Sequence, residues 1–74
     1  MIPVGCLVRI ADREVLEKAL VGSTAHLPEP TQFLHTGATA RVVHVRFNAD
    51  GEPLYGLDGR PGLWSESWLS PLTF

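Results

Sequence analysis

Three histidines, His26, His35 and His44, stand nine residues apart, and one cysteine, Cys6, lies near the start of the chain. Imidazole nitrogens and a thiolate are the donors zinc prefers. Zinc motifs, however, supply their ligands as close pairs, and this even spacing holds none. The expectation is no metal: His26 and His35 are solvated loop residues, and His44 points outward from a strand. A cysteine nucleophile needs access, a lowered pKa and a neighbouring base. Cys6 has the inward parity of its strand, where cysteine behaves as a small hydrophobe. Asp50 and Asp58 each precede a glycine, which is turn chemistry. Glu14, Glu17, Glu29 and Glu52 read as solvated charges, and no acid–base pair stands out. No catalytic residue and no cofactor are expected, and the chain is read as not an enzyme.

Binding chemistry is better represented. The stretch "PLYGLDGRPGLWSESWLSPL", residues 53–72, holds the single tyrosine and both tryptophans. Tyr55, Trp64 and Trp68 could line an aromatic groove for an extended peptide, with Glu66 placed to accept an indole N–H or a ligand cation. The other reading makes Trp64 and Trp68, with Leu54, Leu57, Leu63, Leu69 and Leu72, the core of a small barrel and its flank. Two indoles are hard to bury completely in so small a protein. Trp64 is therefore expected in the core, and Trp68 nearer the surface or an interface. Arg9, Arg41 and Arg46 fall on predicted strands. With an aromatic they would suit single-stranded nucleic acid, although ordinary solvated charges account for them as well.

The elements that carry these residues follow from periodicity. "VGCLVRI" (4–10) alternates as a strand, with Val4, Cys6, Val8 and Ile10 on one face. "DREVLEKAL" (12–20) reads as a short helix. Asp12 is its N-cap, Val15, Leu16, Ala19 and Leu20 form its apolar stripe, Glu14 and Lys18 pair along it, and Gly22 ends it. Residues 23–37 read as a loop that tucks Phe33 and Leu34 onto the core. "ATARVVHVRF" (38–47) is a strand with Val43, Val45 and Phe47 on one face and Ala40, Val42, His44 and Arg46 on the other. Asp50-Gly51 turns it into a strand at 53–57, Asp58-Gly59 leads to a strand at 63–66, and a last strand follows a short turn within 67–74.

Composition bounds the rest. Seventy-four residues make one domain, 1–74, with 45% hydrophobic and 19% charged residues. A domain this small buries only about 60% of its unfolded surface, so association is a natural way to add burial. The net charge of −2 disfavours a polyanion partner, whose affinity comes from neutralised phosphates. One cysteine permits no internal disulfide. Neither a signal peptide nor a membrane-spanning run is recognised, so a cytoplasmic location is expected.

The opening "G-x-x-V-R-I", a long first loop, then "TGATARVVHV", "DGEPLYGL" and "LWSESWLSPL" resemble an SH3-like barrel. The order is similar to that of the C-terminal barrel of the nitrile hydratase beta subunit and of short proteins from mobile bacterial gene cassettes. The resemblance implies a fold and carries no catalytic residues, because such barrels host many functions. Plasmid-type dihydrofolate reductase is a tetramer of such barrels, but its Val-Gln-Ile-Tyr run is absent; "GLWSESW" stands there instead.

The expectation is an all-β, small SH3-like barrel of about five strands, with one short helix in the long first loop. Its function is expected to be binding through protein–protein contacts, as a homo-oligomer or as an accessory to a larger assembly. The expected contact residues are Tyr55, Trp64, Glu66, Trp68, Phe33 and Leu34. The alternatives are a nucleic-acid module using the strand arginines and an enzyme subunit whose site forms between subunits.

Overall fold

The computed structural model describes residues 1–22 and 26–72; the first residues of the expected loop, 23–25, and the end of the expected last strand, 73–74, lie outside them. Five antiparallel strands form one sheet: β1 (Leu7–Ile10), β2 (Thr39–Phe47), β3 (Pro53–Leu57), β4 (Leu63–Ser65) and β5 (Leu69–Pro71). Their order across the sheet is β4-β3-β2-β1-β5. One helix, α1 (Arg13–Val21), follows β1. A 3-10 helix at Pro30–His35 precedes β2, and a 3-10 turn at Glu66–Trp68 joins β4 to β5. The small all-β class is as expected. Among the described residues β4 and β5 are the two edges and are joined by that turn, not by a ladder, so the sheet is open.

β1 sits mid-sheet because every inward position is apolar. Cys6, Val8 and Ile10 are buried, while Arg9 faces out. Val4, expected on the buried face, is exposed, since the chain turns at Gly5 before the strand begins.

β2 departs from simple alternation. Ala40 and Val42 are buried, but Val43 and Phe47 are exposed and Val45 is half-buried. The register explains this. Val42 opposes Leu57 and His44 opposes Gly56, so two residues of β2 answer one of β3. Such a bulge reverses the parity of everything beyond it. The expected face of Val43, Val45 and Phe47 is thus broken.

The hairpin from β2 to β3 is made by Asn48, whose Oδ1 accepts the amides of Asp50 and Glu52 at 3.0 and 2.9 Å. Gly51 takes φ +80°, a left-handed value that favours glycine.

α1 begins after Asp12, but the Asp12 side chain does not cap it; the carboxylate accepts from the Arg9 guanidinium at 2.9 Å. Only Leu16 and Ala19 are buried. Val15 and Leu20, expected on the same stripe, are exposed. The helix touches the sheet along a narrow seam and leaves an apolar flank outside.

The core gathers Ile2, Cys6, Val8, Ile10, Leu16, Val42, Tyr55, Leu57, Trp64, Trp68 and Leu69, among others. Trp68 is 2% exposed and Trp64 is 0%. The expectation of a surface Trp68 is therefore corrected. The Glu66–Trp68 turn folds its ring inward, edge-on to Trp64 at 6.3 Å between centroids. Such edge-to-face pairing lets two large rings share a small core. Leu72 is half exposed, on the flank of that core.

Candidate functional site: an apolar groove beside the first helix

Tyr55 is fully buried, so with Trp64 and Trp68 it presents no open aromatic groove. Its hydroxyl accepts the Ile2 amide at 2.8 Å and donates to Glu66 Oε1 at 2.6 Å. Burial first, and then the bond to Glu66, raise the phenol above its ordinary pKa. Glu66 was read as an acceptor for an indole N–H or a ligand cation; its Oε1 accepts from the tyrosine hydroxyl. Among the described residues the buried Trp64 Nε1 has no hydrogen-bond partner.

The histidines go to three separate places. The His26 ring stacks on Trp68 with centroids 5.3 Å apart, and its Nε2 lies 2.8 Å from the Leu63 carbonyl. His35 Nδ1 lies 3.0 Å from the Arg60 guanidinium, which also donates to the Thr39 carbonyl at 3.1 Å. The His44 ring lies over Gly56, occupying the space a Cβ there would take. His26 and His35 are thus half-buried and engaged, not solvated. Among the described residues no three His, Cys, Asp or Glu side chains gather where a metal could sit. No helix among them is long and apolar enough to cross a membrane.

Phe33 and Leu34 do meet an exposed concavity. Between α1 and the 3-10 helix lies a groove of about 460 Å³ lined by Arg13, Glu17, Leu20, Pro28, Pro30, Phe33 and Leu34. Phe33 is partly buried against the core and forms the inner wall. Leu34, 83% exposed, stands at the rim, with Leu20 at 49%. The Arg13 guanidinium lies 5.2 Å from the Phe33 ring centre and 3.8 Å from the Glu17 carboxylate. These charges already have partners within the chain, so the groove offers apolar surface bordered by one cation and one anion.

The 3-10 helix that shapes the groove was not foreseen, although its signals are in the sequence. Pro30 occupies a first-turn position, and Glu29 and Gln32 form a reciprocal capping box. Gln32 Oε1 accepts the Glu29 amide at 2.9 Å, while its Nε2 donates to the Leu63 carbonyl at 2.8 Å. The amide is fully buried. It ties the groove's floor to β4, which is why an otherwise irregular segment holds its shape. Gly62, at φ +71°, lies so close that a Cβ would sit 2.9 Å from Gln32 Nε2. Arg13, Glu17, Leu20, Pro28 and Pro30 also escaped the sequence reading. Only folding juxtaposes the helix flank with the proline segment.

No family model, no curated protein and no solved structure matches this chain.

Proposed function

We propose that this chain is a non-enzymatic protein-interaction module, a small SH3-like barrel that associates with a second copy of itself through the groove beside α1. The observation that carries the reading is a protruding apolar residue next to an apolar hollow on one surface: Leu34 at the rim, Leu20, Phe33 and the two prolines within. A knob beside a hole is self-complementary under a two-fold axis. So is a border of one arginine and one glutamate, because Arg13 of each copy can face Glu17 of the other. The barrel is supported by the strand order and by the three-residue 3-10 turn that links the two edge strands. Both tryptophans are buried, which leaves oligomeric state as the deciding property.

Sedimentation equilibrium tests this. The native chain is expected to exceed its monomer mass of 8.1 kDa with rising concentration, while Leu34→Asp stays at 8.1 kDa. Leu72→Asp, another exposed leucine outside the groove lining, is expected to behave as the native chain. A native chain that remains monomeric up to about 1 mM, the scale of the weakest specific contacts, overturns the reading.

A further inference from the structure

The far half of β2 has a strand on one side only. β1 pairs with β2 from Thr39 to Arg41, and the last backbone bonds on that side join Val42 to Gly5 and Cys6. β3 continues alongside β2 to Phe47. Among the described residues, nothing pairs with the other edge of residues 43–47. A bulge falls at Val42/His44, just where pairing on the β1 side ends, and Cys6 bonds back to Pro3 in a turn, so the residues before β1 do not extend the ladder. An unpaired edge offers main-chain donors and acceptors in register for another strand.

The side chains along that edge carry one sign of charge. Arg41, His44 and Arg46 are exposed on β2, with exposed Val43 and Phe47 between and beyond them. No carboxylate occurs in the sequence between Glu29 and Asp50. This is a local excess of two positive charges in a chain of net charge −2. The nearby acids lie at the hairpin's ends. Asp50 and Glu52 are in the Asn48 turn, with Glu52 held by Ser65 and Asn48, and Asp58 follows β3. Arg41 also donates to the Gly5 carbonyl at 2.9 Å. Basic residues on an edge oppose pairing with an identical edge, since like charges would stand across from one another.

We infer that the free edge of β2, residues 43–47, accepts an extended acidic segment of another protein as an added strand. Main-chain bonds would supply the pairing. Carboxylates two residues apart, about 6.7 Å along a strand, would match His44 and Arg46. Apolar residues between them would cover Val43 and Phe47. This surface is separate from the groove beside α1, so either reading can fail while the other stands.

The test titrates the native chain with three labelled probes: a peptide alternating glutamate and valine, its lysine–valine counterpart, and a twelve-residue oligothymidylate. Fluorescence anisotropy reads the binding, and amide hydrogen exchange locates it. The acidic peptide is expected to bind, to slow exchange within residues 43–47, and to leave the groove residues unchanged. Arg46→Glu, at an exposed position that keeps the fold, is expected to weaken it roughly fivefold to tenfold, and Arg46→Lys by much less. Equal binding of the acidic and basic peptides overturns the inference, as does unchanged exchange at residues 43–47. Binding of the oligothymidylate in place of the acidic peptide also overturns it and assigns the strip to nucleic acid.

Discussion

Replacing Tyr55 by phenylalanine keeps the ring and removes one oxygen. The ring is fully buried, so packing is nearly unchanged and the effect isolates the hydroxyl's two bonds. On one side the Ile2 amide, in a residue 4% exposed, loses its acceptor at 2.8 Å. A buried amide left without a partner costs about 1–3 kcal/mol. On the other side Glu66 loses a donor at 2.6 Å, but its side chain is 44% exposed, so water replaces most of that bond. The expected total is about 2–3 kcal/mol. A chain of 74 residues has a folding stability of roughly 4–11 kcal/mol, so this is a large fraction. Tm should fall by about 10–20 °C, read by calorimetry and by urea unfolding at equal m-value. Glu66→Gln, which retains an acceptor for the phenol, should cost much less. A Tyr55→Phe loss below about 0.5 kcal/mol would refute the claim that this hydroxyl anchors the start of the chain. The pH dependence provides a second check. The folded phenol titrates above 10.0, mainly because it is buried and because Glu66 holds its proton. The unfolded state therefore releases this proton first as pH rises. The native stability is whole below pH 10 and declines as pH climbs through the folded value, so the gap between the native chain and Tyr55→Phe should narrow there. A gap that widens above pH 10 contradicts the geometry.

Three further outcomes follow from individual contacts. Gln32→Ala should cost about 1–2 kcal/mol, because it strips an acceptor from the amide of the exposed Glu29 and one of two partners from the Leu63 carbonyl, which keeps His26; a neutral result in urea unfolding would show the 3-10 segment to be held by other means. Gly56→Ala would put a Cβ against the His44 ring. That ring is exposed and can swing away, so the loss should stay below about 1 kcal/mol, and adding His44→Ala should recover it; a loss above about 3 kcal/mol would mean the backbone has no room. Cys6 is 3% exposed, so a thiol reagent should modify it only at the rate at which β1 opens; rapid labelling of the native chain would contradict that burial.

The sequence by itself determined the small all-β class, the places of most strands, and the turns at Asp50-Gly51 and Asp58-Gly59. Alternation and turn chemistry are local, and both act over a few residues. It also located α1, whose bounds shift by one residue from the expected 12–20. Other features depend on what lies across the chain. The parity of β2 beyond Val42 was set by a bulge, which exists only in relation to β3. The inward turn of Trp68 sets its ring edge-on to the nearby Trp64 and against His26, which lies far back along the chain and is brought there only by folding. Phe33 and Leu34 were expected to tuck onto the core; Phe33 packs against it, while Leu34 is exposed at the surface instead. The groove they border was not legible, because its other wall is the helix flank of Leu20, Arg13 and Glu17. Tyr55, Trp64 and Trp68 were chosen for their chemistry. An aromatic ring is equally suited to core and to binding surface, and only the packing of distant elements around each ring decides which it becomes.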